Sequence, residues 1–538
     1  MRISLPPRRL TLLAAAMLAW YGAAGGAQAG QIETGVDDLQ LRVGTTVRYN
    51  AGFRMERRDH AIAYSPSSDE GDNSYDRHDM VNNRLDVLTE LDLSYKNVGA
   101  RLSGALWADA AFNNKVKTAP GLEGRGSYIN NEFSDYTKRF HKGPSGEFLD
   151  AYLFANLDFG GMPFNVKVGR QTNLWGEALV LSTHSVSYAQ APSDGLKAVA
   201  SPGVDNKEIA LPIGQVHASL QVTDNLSLAA QYFYEWKPTR LAQGGTYLAA
   251  TDFLLLGPDQ FSAAPGITLV NGKIVEAKGR EFGLSARYKT EALGATVGAY
   301  YRVFNERSPS LSLDIPNRIY YIIYPEDTKL FGLSLAKNIG GVSIGAELVR
   351  RNDTVLASTL ANGSRAVARG NTWHGLVNAV TAFGQNPVFD GATLTTELAY
   401  AKLDKITQNA ANFNGCVRPG LATRDEETGC ASASNWQGTI RFSPSWTAVR
   451  IGWDLGATAS LTYGLKGNGA VLGGGNYKGG SWTVGTTLTY NQQHDFTLAY
   501  SDYLATKRND PVTGLIQFSN GSQLQDRGWL SLTYKGSF

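Results

Sequence analysis

The chain has 538 residues, with 50 Lys and Arg against 48 Asp and Glu, a formal charge of +2 and 43% hydrophobic residues. A near-neutral chain without a lysine-rich arm gives no reason to expect nucleic-acid binding. This length would fill several soluble domains, and it suits a single domain only where one closed sheet uses the whole chain without a large core.

The first segment reads as a secretory signal. Arg2, Arg8 and Arg9 precede a short apolar stretch from Leu10 to Trp20, and small residues lead to Ala27-Gln28-Ala29. Small side chains three and one positions before a cut suit signal peptidase, so residues 1–29 are expected to be removed and the mature chain to begin at Gly30. The apolar stretch is shorter than the roughly 20 residues of a membrane-spanning helix, and no later stretch approaches that length. Losing three arginines and no acid changes the formal charge from +2 to −1.

From Leu39 onward the pattern has period two, which marks a strand with one apolar and one polar face. Leu39, Leu41, Val43, Val47, Tyr49 and Phe53 alternate with Gln40, Arg42, Arg48, Asn50 and Arg54. The contrast recurs at Leu85, Val87, Leu91 and Leu93 against Asp86, Glu90 and Asp92, and again from Leu226 to Lys237. About 18 such segments are found, long enough for tilted strands to cross a bilayer. They start near residues 39, 83, 99, 147, 163, 214, 225, 280, 293, 327, 341, 371, 391, 436, 449, 480, 494 and 526. Tight turns at Asn97-Val98, Gly160-Gly161, Asp224-Asn225, Gly340-Gly341 and Gln492-Gln493 alternate with long polar loops. This rhythm predicts an all-β, transmembrane antiparallel β-barrel with long extracellular loops and both termini periplasmic. One missed hairpin would make the count 16 or 20.

The last segment supports the same reading. Leu530, Leu532, Tyr534, Gly536 and Phe538 share one face, with Trp529, Ser531, Thr533, Lys535 and Ser537 on the other. An amphipathic final strand ending in an aromatic residue resembles the signal read by the barrel-assembly machinery. A secreted β-sandwich is the rival fold, but its strands average nearer 5–6 residues and need no short–long loop rhythm.

A barrel this wide encloses an aqueous channel unless something fills it. Its inward faces carry both signs: Arg42, Arg48, Arg54, Asp86, Glu90 and Asp92, then Glu281, Arg287, Lys289, Arg302, Glu347, Arg351 and Glu397. These could form ion-pair ladders that hold the wall, or they could guide a solute. The loop over residues 173–213 is unusually apolar, with Ala178-Leu179-Val180-Leu181, Leu196, Val199 and Ile209-Ala210-Leu211-Pro212-Ile213. Such side chains are costly in water. The loop is therefore expected either to fold into the lumen as a constriction or to pack over the barrel mouth. Arg170, Trp175, Glu177, Lys207 and Glu208 are the candidates for holding it, with Arg42, Arg48, Glu90 and Asp92 on the wall. Simple alternation puts Arg170 with the outward set Phe164, Val166 and Val168, so a bulge or the strand's end must turn it inward.

Cys416 and Cys430 lie in a Gly/Asn/Asp-rich stretch, and in an oxidising compartment they are expected to pair and close a short loop. The rival, a metal or catalytic thiol pair, lacks nearby histidines. His217 and Ser219 share a strand face, but Val216, Ala218 and Leu220 take the apolar one, so the pair faces the lumen and not lipid. His184-Ser185 has no acid placed to complete a triad, and the seven histidines show no metal-ligand spacing. No catalytic residue, metal site or cofactor is expected. The acidic run from Asp69 to Asp76 reads as a solvated outer loop, with calcium as the alternative, although it lacks EF-hand spacing. Gly473-Gly474-Gly475 is in a connecting loop, not before a helix, and so makes no phosphate cradle.

Several stretches together carry a family likeness. They are Asp72-Asn73-Ser74-Tyr75 leading to Asn83-Arg84-Leu85, Val168-Gly169-Arg170-Gln171 with Trp175-Gly176-Glu177, and Lys207-Glu208 before Leu211-Pro212. Thr223-Asp224-Asn225-Leu226 and Tyr324-Pro325-Glu326-Asp327 before Phe331-Gly332 extend it. On these the chain resembles, along its whole length, a proteobacterial family of outer-membrane barrels catalogued as a domain of unknown function, number thirteen-oh-two. Members usually have Asn-Pro in the loop after Trp-Gly-Glu, where this chain has Ala191-Pro192-Ser193-Asp194. The resemblance implies a barrel in the outer membrane of a Gram-negative bacterium, often tied to movement of hydrophobic small molecules alongside a periplasmic lipoprotein-like partner. The resulting expectation is a channel, not an enzyme, for passive or partner-driven transport of small hydrophobic or amphipathic molecules or lipids. The alternative is a structural or adhesive surface barrel with a closed lumen.

Overall fold

The computed structural model describes residues 30–538 except 33, 202–203, 205, 254, 265, 273, 359–360, 363–365, 418–422, 510–515 and 519–521. The expected signal, residues 1–29, lies outside the described residues. Eighteen antiparallel strands close into one barrel. In chain order they are β1 Leu39–Arg54, β2 Met80–Tyr95, β3 Val98–Asp109, β4 Ser145–Asp158, β5 Pro163–Gln171 and β6 Ile213–Gln221. There follow β7 Leu226–Phe233, β8 Glu281–Thr290, β9 Ala295–Phe304, β10 Thr328–Ile339, β11 Val342–Val355 and β12 Arg369–Phe383. The last six are β13 Gly391–Gln408, β14 Ser434–Arg450, β15 Trp453–Lys466, β16 Gly480–Tyr490, β17 His494–Leu504 and β18 Trp529–Ser537.

Each strand pairs with its neighbour in sequence, and β18 closes on β1 with Thr46 opposite Ser537 and Arg54 opposite Trp529. Phe538 continues the seam through backbone hydrogen bonds with Thr45. Beyond that point the short strand Gly30–Ile32 folds back and takes up the free edge of β1 at residues 41–43. Closure leaves no long open edge, the one arrangement of strands that satisfies every backbone group within a bilayer.

The outer face is apolar because every second residue is. Leu153 is 66% exposed, Leu333 57%, and Leu106, Leu284, Leu348, Val377, Ile440 and Leu532 also stand on the outside. Rings gather at the two ends of this belt. Trp453–Tyr490 at 4.8 Å and Phe496–Tyr534 at 5.3 Å lie at the short-turn end; Tyr400–Trp436 at 4.7 Å and Trp482–Tyr500 at 5.4 Å lie at the long-loop end. Two aromatic girdles around an apolar band are the mark of a bilayer-spanning barrel. A bulge in β4 lets Leu102 face Ala151 while Gly104 faces Phe148, so both Phe148 and Leu153 point outward despite their odd spacing.

The long loops pack on one another above the barrel. Three of them share a five-stranded sheet of residues 260–264, 267–271, 310–314, 319–323 and 361–362. Cys416 and Cys430 are disulfide-bonded, with Cα atoms 4.9 Å apart, and close the loop between β13 and β14. The acidic run departs from the solvated loop expected of it: Asp69–Asn73 is a short helix with Asp69, Glu70 and Asp72 buried. Asp72 pairs with Arg54 at 2.6 Å and Arg527 at 3.2 Å, while Asp69 accepts a hydrogen bond from the Ala119 amide at 2.7 Å. The acids cap the backbone of neighbouring loops. Among the described residues no group of three ligating side chains is placed to hold a metal ion.

Candidate functional site

Gln171 and Ile213 are cross-strand partners in β5 and β6, and the chain between them leaves the wall and turns into the barrel. Among its described residues this insert contains only short helical turns, the longest being Gly195–Ala200, so most of those backbone groups find no partner within it. Buried backbone donors and acceptors must be matched from elsewhere, and the inner wall supplies the match. Glu347 of β11 accepts from the amides of Glu177, Ala178 (2.9 Å) and Val186 (2.7 Å). Glu397 of β13 accepts from Leu179 (2.7 Å), Val180 (3.1 Å) and Leu181. The carbonyls are met by cations and amides. Arg302 of β9 donates to the Val186 and Tyr188 carbonyls, both at 2.7 Å, and Arg351 of β11 donates to Thr183. Asn378 donates to Glu177 at 2.6 Å, and Asn50 to Ala200 at 2.8 Å.

Trp175-Gly176-Glu177 is where the insert first crosses the lumen. The Trp175 ring lies over Gly283 of β8, where a Cβ would stand 2.7 Å from it, and packs with Val186, Tyr300, Phe304, Leu330 and Val349. Gly176 has φ +98°, and a Cβ there would meet the Glu347 carboxylate at 2.5 Å. A side chain at that position would therefore both strain the backbone and displace the anchor.

Apolar contacts complete the fit. Leu196, Ala200 and Leu211 of the insert pack with Leu88, Ala105, Trp107 and Leu149 of the wall, and Leu181 packs with Leu376 and Ala399. Alternation puts Leu88, Leu330, Val349 and Leu376 on the lumen side of their strands, where they are buried under the insert. The residues 172–212 thus form a plug with its own small core. Not every apolar side chain of the plug is covered: Leu179 is 45% and Val180 49% exposed, and Leu174 and Val199 are also open. At Leu179 and Val180 it is the backbone that is gripped, by Glu397, and the side chains turn away.

The sequence candidates fall into four groups. Arg48 and Glu208 are joined in a buried ion pair, with Lys197 3.3 Å from the same carboxylate. Glu90 binds Lys207 from the plug and Arg101 from β3, and Arg101 reaches Asp92 at 2.7 Å. Glu177 pairs with Arg287 at 3.2 Å, and Trp175 packs as described. Arg42 and Arg170 stand apart from the plug. Arg42 is exposed and, among the described residues, its guanidinium donates to Gln40 at 3.5 Å. Arg170 pairs at 3.4 Å with Glu235, in the segment after β7, so it braces the rim. Glu347 and Glu397 were legible as inward-facing charges, but not as the acceptors of six plug amides, because loop backbone leaves no sequence signature of its partner. His217 and Ser219 lie on the inner face opposite Lys167 and Asn165.

A histidine pair joins plug and wall. His184 Nδ1 is 3.1 Å from His374 Nδ1, His374 Nε2 is 2.9 Å from the Thr372 hydroxyl, and His184 Nε2 is 3.2 Å from the Gly474 carbonyl. One set of roles satisfies all three contacts: His184 Nε2–H donates to Gly474, His374 Nδ1–H donates to His184, and Thr372 donates to His374. Both rings are then neutral. Burial, and then the Arg351 guanidinium, hold His184 down at about 4, whereas a free imidazole titrates near 6.5. A released plug therefore binds a proton that a docked plug refuses. Docking is at full strength above about pH 6.5 and weakens by roughly 3 kcal/mol as the pH falls to about 4. Protection factors across residues 178–190, which divide out the slower intrinsic exchange in acid, should fall over that window, and His184→Gln should flatten the dependence. The loops have the opposite slope. Burial and the neighbouring Asp252 push Asp69 up to about 7, against the pull of the Ala119 amide, so the packing of this carboxyl among the loops is favoured on the acid side. Plug and loops can thus be read apart in one titration.

The inner wall is unevenly covered. From β9 to β13 the inward residues beneath the plug are deeply buried, with Leu330, Val349, Arg351, His374 and Ala399 all at 0% exposure, while Arg287 and Lys289 of β8, nearer the short turns, stay open. On β14 to β17 the inward face is built largely of small hydroxyls that remain partly open and bond to one another, Thr439 with Thr462 at 3.0 Å, Thr483 with Ser501 and Thr487 with Thr497 at 2.9 Å, with Arg441, Asp454 and Asp495 the charged residues among them. Among the described residues no hydrogen bond or ion pair joins the plug to β15, β16 or β17.

Residues 10–538 match a family described as Protein of unknown function (DUF1302). No curated protein matches the chain. Among solved structures it is similar to a BenF-like porin from Pseudomonas fluorescens Pf-5, at 11% identity over 95% of this chain and 99% of that one, TM-score 0.42. It is similar to OccAB2 of Acinetobacter baumannii at 10% identity, over 93% and 98%, TM-score 0.42. It is also similar to OpdK of Pseudomonas aeruginosa, solved with vanillate, at 11% identity over 93% and 98%, TM-score 0.40.

Proposed function

Since this chain belongs to the protein family of unknown function DUF1302, its function is read from the barrel itself, and we propose that it is an outer-membrane channel for small amphipathic or hydrophobic molecules. An apolar belt between two aromatic girdles supports insertion in the outer membrane of a Gram-negative bacterium, with the short turns periplasmic and the long loops outside. Export by the signal at residues 1–29, with cleavage before Gly30, and folding by the barrel-assembly machinery belong to the same reading. The barrel holds no energy source, so flow is passive or driven by a periplasmic lipoprotein-like partner.

The observation that carries the proposal is the uncovered polar wall of β14 to β17. A lumen closed as a scaffold would have its plug packed against the full circumference. Here one side is left lined by hydroxyls in a barrel wide enough to hold water. The test is single-channel recording of the refolded full-length protein in a planar bilayer, together with solute leakage from loaded vesicles. Small, stable current steps and leakage of small solutes are expected. A folded protein that gives neither would overturn the channel and favour the closed structural or adhesive barrel.

A further inference from the structure

The plug does not lie centrally. Its polar anchors fall on β1, β2, β9, β11 and β13, through Arg48, Glu90, Arg302, Glu347, Arg351 and Glu397. On the remaining wall, fixed charge is sparse. Arg441 of β14 is exposed on the inner face, between Thr395 and Ser460 of the adjoining strands. Toward the short turns, Asp454 of β15 accepts from the Ala448 amide and Asp495 from Thr489, both at 2.7 Å, with Lys535 opposite Asp495 on β18.

We propose that the conducting path is eccentric, running between the plug and the hydroxyl-lined wall of β14 to β17, with Arg441 the cation a solute meets there. The proposal rests on the channel reading and names the route and the class of solute. In each pair one hydroxyl donates to the other, leaving the acceptor's proton and both oxygens' remaining lone pairs free beside the threonine methyls, so the wall is wettable without being charged. Such a surface accepts neutral amphipathic solutes, which slide on methyls and exchange weak hydrogen bonds with hydroxyls. A multiply charged solute would leave its hydration shell for no fixed partner, whereas a singly anionic one is met by a guanidinium. The polar, ion-paired wall behind the plug carries no flow, because its groups are already spent on plug backbone.

The experiment is cysteine accessibility in the conducting full-length protein, whose two native cysteines are paired with each other. Thr462→Cys and Thr487→Cys line the proposed path; Ser334→Cys, buried beneath the plug beside Tyr300, is the control. A water-soluble, bulky thiol reagent should label the first two and cut their current by roughly half or more, while leaving Ser334→Cys unlabelled and its current intact. In parallel, Arg441→Glu should shift the reversal potential in a salt gradient toward cation preference. Labelling of Thr462→Cys and Thr487→Cys without loss of current, or current lost by labelling Ser334→Cys, would place the path elsewhere and overturn the proposal while the channel reading stands. A wild-type protein that is folded yet silent removes both readings at once. Retention of heat-modifiable gel mobility shows that each variant is folded.

Discussion

Excising residues 173–211 and joining Thr172 to Pro212 through Asn-Gly is expected to raise single-channel conductance several-fold, toward that of an unobstructed barrel of this strand number. The join is short because the flanking residues Gln171 and Ile213 already face each other across β5 and β6, and Asn-Gly is the dipeptide a tight hairpin accepts. The wall should survive the loss. Its inter-strand ladder is independent of the plug, and Arg48, Glu347 and Glu397 exchange plug groups for water once the lumen is open. The check is conductance beside strand content by circular dichroism and heat-modifiable mobility. A folded variant with unchanged conductance would show that the plug does not limit flow.

A more selective break is Glu347→Ala combined with Glu397→Ala. Six backbone amides, from residues 177 to 181 and 186, lose their acceptors. At about 1 kcal/mol for each bond, and more for any amide left dry, the loss is on the order of 6 kcal/mol or more. That exceeds what the contacts of Leu181 alone return, so the segment should leave the wall and hydrate. Hydrogen exchange at residues 177–186 should rise to near the free-chain rate while exchange in the barrel strands stays slow. Glu397→Gln keeps one acceptor oxygen and should show a partial effect. Protection retained in the double alanine variant would mean that the apolar contacts hold the plug unaided.

The barrel was legible because strand alternation and the short–long rhythm are both properties of neighbouring residues. All eighteen starting points lie within four residues of the strands, the largest offset being at β15, expected near 449 and beginning at Trp453. The plug was legible only in part. Its apolar residues predicted an escape from water, and Leu181, Leu196 and Leu211 are buried, but the choice between lumen and mouth depended on the far wall. Leu88, Leu330, Val349 and Leu376 break the polar face of their strands, and that break was the readable trace of something packed inside. The ion pair of Arg48 with Glu208 joins residues far apart in sequence, so either charge alone could be known, but not their meeting. Likewise the acids of residues 69–72 look like any solvated run until Arg54, Arg527 and the loop amides are seen around them.

The plug springs from the rim at β5 and β6, and its tip is fixed by Glu397 on β13, seven strands further round in one direction and ten from β5 in the other. It therefore follows the wall through the shorter arc, held in turn at β8, β11 and β13, like a strut sprung inside a ring. A barrel flattened by its surroundings changes that span, and the change is borne by the stretch from Trp175 to Leu181. Bilayer tension and thickness would then act on the lumen as a pull along one strut, with no ligand needed to transmit it.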